Sequence, residues 1–152
     1  MIRPLRHALV CLVALQASCA LGPDRSYVAD LQQPADAAVL ADGMAAFVAG
    51  QLPARSSTVT LDPTLAGQAG NALTPALASA LRHRGFAVAE GGQGQPAGAH
   101  RLRYIVTQLD NGDLVRLTLD GATEGARFFV RNTEGKLQSG GPYTVMQAEA
   151  AP

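Results

Sequence analysis

The 152-residue sequence has no tryptophan and one lysine, Lys136. Aromatic residues make up 5% of the chain and charged residues 16%. Twelve basic and twelve acidic side chains cancel. Without clustered Lys and Arg there is no electrostatic footprint for nucleic acid. The scarcity of charge does not signal disorder, because 47% of residues are apolar and can build a core. Cysteine occurs twice, as Cys11 and Cys19, which excludes a disulfide-rich miniprotein. Histidine occurs three times, as isolated His7, His83 and His100, which is no metal set. G-x-S-x-G, H-E-x-x-H and G-x-x-x-x-G-K-[ST] are all missing. Asp110 and Asp113 flank one turn. Acids at a hairpin tip shape the turn and stay solvated, whereas paired-carboxylate catalysis needs them across a cleft. The sequence therefore implies neither an enzyme nor a cofactor or small-molecule site.

Long hydrophobic runs are also missing. Ala8 to Leu15 is eight apolar residues. As a helix it spans roughly 12 Å, far short of the roughly 30 Å hydrocarbon core. Arg3 and Arg6 precede it and Ala17, Ser18, Cys19 and Ala20 follow, the three-part layout of a secretory signal. Leu15 to Cys19 (L-Q-A-S-C) resembles a bacterial lipobox, in which the Cys becomes the lipidated first residue. Gln16 stands where an apolar residue is usual, and ordinary cleavage after Ala20 is the alternative. Removal of the signal leaves Cys19 as the lone cysteine, which no intramolecular disulfide can use and acylation explains. The reading is a signal peptide over 1–19 with Cys19 as lipidation site. Ala20, rather than Asp, points to outer-membrane sorting. Ten basic residues then face twelve acidic ones, so membrane attachment depends on acyl chains and not on a polybasic patch.

From 20 to 35 the chain is polar and aperiodic and reads as a flexible tether. Asp36 is a candidate helix cap, and Leu40, Met44, Phe47 and Val48 form one stripe before Pro53. Ser57 to Leu61 alternates as a strand. Thr74 caps a second helix, Leu77, Ala80 and Leu81 face inward, and Gly85 ends it. Phe86 to Ala89 is a strand parallel to the first. Gly91 to Ala99 is a glycine-rich loop that opens no helix and lacks the Lys and Ser/Thr of a phosphate cradle. Three strands with turns at Asp110–Asp113 and Asp120–Gly125 follow. In the last of them Ala126, Phe128 and Val130 are the apolar alternation. A turn over Thr133–Lys136 leads to a short strand near Tyr143–Met146. The expectation is an α+β, two-layer domain over 36–147. It has a mostly antiparallel sheet of five to six strands with two helices on one face, and 148–152 form a disordered tail. Leu77, Leu81 and Phe86 should be buried against Val115, Leu117 and Leu119.

Arg101, Arg103, Arg116 and Arg127 lie on successive strands, on or near the polar positions, with Phe129 among them. A solvated face of weak pairs is one reading. A protein-contact face is the other, since Arg and aromatics are favoured at interfaces.

The chain resembles the TrbH family of small conjugal-transfer lipoproteins. The resemblance is carried by the lipobox-like start, by A-L-A-S-A-L-R-H-R-G-F-A-V at 76–88, by R-Y-I-V at 103–106 and by L-V-R-L at 114–117. G-A-R-F at 125–128 and G-P-Y-T-V-M at 141–146 complete it. It implies a non-enzymatic envelope lipoprotein facing the periplasm, part of a type IV secretion apparatus, with TrbG and TrbI type subunits as partners. It carries over no catalytic residue. A periplasmic module acting on the cell wall or a cell-wall enzyme is the alternative.

Overall fold

The computed structural model describes residues 25–65, 67–68, 70–90 and 95–147. The signal segment 1–19 with Cys19, and the tail 148–152, lie outside the described residues. Two helices, α1 (Asp36–Gln51) and α2 (Leu73–His83), pack on one mixed sheet. Its strands are β1 (Tyr27–Val28), β2 (Thr58–Leu61), β3 (Ala87–Glu90), β4 (His100–Leu109), β5 (Gly112–Leu119), β6 (Thr123–Arg131), β7 (Leu137–Ser139) and β8 (Thr144–Gln147). The order is β3-β2-β4-β5-β6-β7, with β1 also on β4 and β8 also on β6. The α+β expectation stands. The sheet is larger than five to six strands, and it is mixed rather than mostly antiparallel, because β1–β4, β2–β3 and β2–β4 all pair parallel.

The unit β2–α2–β3 forms as its punctuation dictates. Pro75 sits in the first turn of α2, where it removes no helical hydrogen bond. Asn71 Oδ1 accepts from the Thr74 N–H at 2.8 Å and caps that turn. At the other end Gly85 takes φ 92°. Its N–H donates to the Arg82 carbonyl, and the Phe86 N–H donates to that of Leu81, a Schellman ending that turns the chain into β3. Leu77, Leu81, Phe86, Val115, Leu117 and Leu119 are buried in one cluster, as expected. The Tyr104 hydroxyl, on the fully buried face of β4, meets Thr74 Oγ1 at 2.7 Å and pins α2 to the sheet.

Within the expected tether, the described residues 25–35 join the fold. Ser26 is fully buried, and its Oγ accepts from the Tyr104 N–H at 3.2 Å. The Gln68 side-chain amide completes β1, donating to the Val28 carbonyl at 2.5 Å and accepting from its N–H at 3.2 Å. Val28 enters the core. The packed structure therefore includes Ser26, ten residues before Asp36.

The hairpins also correct two expectations. Leu109 pairs with Gly112, so Asp110 and Asn111 alone form the first loop. Gly112 has φ 149° and lies against the Phe129 carbonyl where a Cβ would clash. Asp113 thus falls inside β5, opposite Phe129, and is buried rather than solvated. In β6 the alternation is the reverse of the expected one. Leu117 pairs with Gly125, Val115 with Arg127 and Asp113 with Phe129, so Gly125, Arg127 and Phe129 face the helices while Ala126, Phe128 and Val130 face outward. The physical reason lies in α1. Phe129 seats on Gly43, where a Cβ would come within 2.6 Å of its ring, and Phe47 occupies the space left by Gly125.

Candidate functional site

Strand register assigns each arginine to a face. Cross-strand partners lie on the same face. Arg103 pairs with Thr118, Ile105 with Arg116 and Tyr27 with Ile105, so these side chains share the outer surface, away from the helices. Thr118 pairs with Glu124, Arg116 with Ala126 and Glu124 with Met146. Arg101 pairs with Thr60 on the same side, and its Nε donates to Asp62 Oδ1 at 2.5 Å. Arg103 donates to Thr118 Oγ1 at 3.4 Å. Arg116 is exposed.

These residues surround a concavity of about 390 Å³ lined by Arg103, Ile105, Arg116, Glu124, Ala126 and Met146, with Tyr27 and Leu65 at its rim. A larger hollow of about 520 Å³ lies between 28–34 and 67–72. Its polar side chains Gln33, Gln68 and Asn71 are engaged in hydrogen bonds within the chain, and Asp30 is its one ionisable group. Polar groups already spent on the fold are poorly placed to receive a ligand, so the outer face is the better candidate.

Arg127 and Phe129 do not join Arg101, Arg103 and Arg116. Both face inward. The Arg127 guanidinium lies 5.3 Å from the Phe129 ring and 5.2 Å from the Tyr143 ring, and it donates to Ser139 Oγ. Burial pushes the Tyr143 phenol pKa up, opposed by the Arg127 charge. The phenol is therefore neutral, and its ring lies tilted against Phe47 with centroids 4.9 Å apart. This cluster closes the β6 side of the core.

A second polar cluster was not legible as such in the sequence. Arg131 makes a two-pronged pair with Asp36, at 2.6 and 3.3 Å, and lies 3.7 Å from Asp113. It also donates to the Gly135 carbonyl at 3.1 Å. The Arg131 side chain is 10% exposed and both carboxylates 2%. Burial raises the Asp113 pKa, with Arg131 lowering it and Asp36 raising it further. One cation serves two acids, so the cluster favours a proton on Asp113. Its contacts are internal, and the chemistry it offers is cohesion.

Among the described residues no three of His, Cys, Asp and Glu come together to hold a metal ion, and no helix is long and apolar enough to cross a membrane. On the outer face the groups that converge are guanidiniums, one carboxylate and apolar side chains, a set suited to binding protein. The chain matches the family described as conjugal transfer protein TrbH over residues 21–149. It belongs to the TrbH family. Searches of curated proteins and of solved structures give no match. The TrbH match includes every strand and both helices, so the outer face and the internal clusters all lie within the family's span. Membership ties the chain to conjugal transfer and, through it, to the machinery of the cell envelope.

Proposed function

We propose that this TrbH chain is a non-enzymatic lipoprotein of a conjugative type IV secretion apparatus. It is anchored through Cys19 in the outer membrane, faces the periplasm, and helps assemble or stabilise the mating channel. The observation that carries the reading is the family match across residues 21–149. The lipobox-like segment supports the anchor. The outer face supports contact with channel subunits of the TrbG and TrbI type, because Arg101, Arg103 and Arg116 stand there beside exposed apolar side chains.

An in-frame deletion in donor cells should lower plasmid transfer, and the wild-type gene should restore it. Unchanged transfer would refute the conjugation role. Cys19→Ser should abolish incorporation of labelled palmitate and release the chain from membranes. A wild-type chain that takes up no label and begins at Leu21 by mass would refute the anchor. Arg103→Glu with Arg116→Glu should leave the domain folded while weakening capture of the channel subunits. A folded double variant that captures them at the wild-type level would remove this face from the reading.

A further inference from the structure

The outer groove has an internal order. Tyr27, Ile105, Arg116, Ala126 and Thr144 lie in one register row across β1, β4, β5, β6 and β8. Arg103, Thr118, Glu124 and Met146 form the row beside it. Arg116 stands between Ile105 and Ala126 in the first row, and in the second Arg103 and Met146 stand at opposite ends. Tyr27, Leu65 and Met146 are 37%, 38% and 57% exposed. Single exposed hydrophobes need no explanation, but three around one hollow mark an interaction surface. Arg116 has no ionic or hydrogen-bond partner among the described residues. Glu124 is the one acid in the lining, against Arg103 and Arg116.

We propose that this groove receives a short segment of a partner protein in which one or two carboxylates stand between apolar side chains. The carboxylates meet Arg116 and Arg103, and the flanking apolar groups cover Tyr27 and Leu65 at one end and Met146 at the other. The proposal rests on the protein-contact reading above and names the chemistry of the contact. Charge selects the occupant. A neutral or basic segment would cover Arg116 while leaving its charge unpaired, which is costly. A second copy seated face to face about a two-fold axis would bring like arginines together. Nucleic acid calls for a run of cations, and the lining offers two. Arg and Tyr in a partly enclosed setting are the residue types on which binding energy concentrates.

The test places a photo-reactive benzoylphenylalanine at Tyr27 or Met146 of the full chain in donor cells, with the same probe at Lys136 as an off-groove control. Mass spectrometry then reads the cross-linked peptide. The expected adduct is to a protein segment carrying Asp or Glu beside apolar residues, obtained from both groove positions and not from Lys136. A synthetic peptide of that segment should bind the full mature chain at least about tenfold more weakly after Arg116→Glu, with Arg116→Ala intermediate. Exchanging the peptide acid for Lys should restore binding to Arg116→Glu. A peptide without an acid, an adduct to lipid or to a second copy, no adduct, or affinity indifferent to Arg116 would each overturn the proposal. A deletion that lowers transfer while the groove gives no such adduct would sink the groove and leave the conjugation reading in place.

Discussion

Arg131 and Arg116 stand on neighbouring strands of one sheet and face opposite sides of it. Arg131 points toward the helices and meets Asp36 at the first turn of α1, Asp113 in β5 and the Gly135 carbonyl in the β6–β7 turn. Arg116 points away from the helices, into an open groove. The same side chain therefore does two jobs. Buried, its charge is inseparable from the partners that lost their water with it. Exposed, it remains solvated and contributes little to stability. It is then free to recognise something else. Variants on each side of the sheet separate these two roles.

Arg131→Met leaves Asp36 and Asp113 buried without a cation. Removing one partner of a buried pair typically costs about 3–5 kcal/mol. Urea unfolding of the variant should show a loss of that order. A loss below about 1 kcal/mol would mean that water reaches the cluster and that the contrast with Arg116 is weaker than drawn.

The two faces should also differ toward small added groups. Gly125→Ala places a methyl against the Phe47 ring, and overpacking of a filled core typically costs about 1–3 kcal/mol. Its neighbour Ala126 faces the groove, and Ala126→Ser should stay within about 0.5 kcal/mol, as surface changes do. Equal losses from the two variants would contradict the register of β6.

Asp113→Asn tests the charge imbalance of the buried cluster. The folded-state pKa of Asp113 lies above its ordinary value, first because of burial. The folded state thus holds this proton more tightly than the unfolded chain does. Stability from this group is fully present below the ordinary carboxylate range, about pH 4, and is lost as pH rises through the raised value. The difference in melting temperature between wild type and Asp113→Asn should therefore change between pH 4 and pH 7, with wild type losing ground as pH rises. Parallel curves would show that Asp113 titrates as it does in the unfolded chain. The groups facing it are Arg131 and Asp36, and both remain in the variant.

Much of this fold was legible because its signals are local. Arg84-Gly85 marks the end of α2 and Pro75 its first turn, although the helix begins at Leu73 and Asn71, not Thr74, supplies the cap. The stripe Leu40, Met44, Phe47, Val48 marks the buried side of α1, and all four are buried. What escaped is set by contacts far apart in the chain. Residues 126–131 read A-R-F-F-V-R, and either alternation presents an aromatic ring. The choice is made by Gly43 and Phe47, more than 75 residues away. β1 has two residues, too few for any period, and exists because Gln68 and Ser26 hold it. The candidate face was half legible for the same reason. Arg101, Arg103 and Arg116 follow from the alternation of β4 and β5, while Arg127 and Phe129 were carried inward with the register of β6. Arg131, Asp36 and Asp113 gave no signal because three single charges 18 to 95 residues apart have no pattern.

Arg116→Glu is the smallest change for the fold and the most informative for the exposed side of the comparison. Arg116 is solvated, and among the described residues it has no ion pair or hydrogen bond to lose. Its reversal places a second carboxylate near Glu124, two residues along from its cross-strand partner Ala126. Repulsion between solvated like charges at that separation is weak and screened by salt. Unfolding free energy should therefore move by no more than about 0.5 kcal/mol, against the several expected for Arg131→Met. Transfer frequency should fall nonetheless, because the side chain lost is one the groove presents outward. Urea unfolding and a mating assay on the same variant decide the matter together. A stable variant with reduced transfer assigns Arg116 to recognition. Unfolding shifted by 2 kcal/mol or more would place Arg116 with Arg131 as a structural residue, and wild-type transfer in a stable variant would leave the outer face without a role.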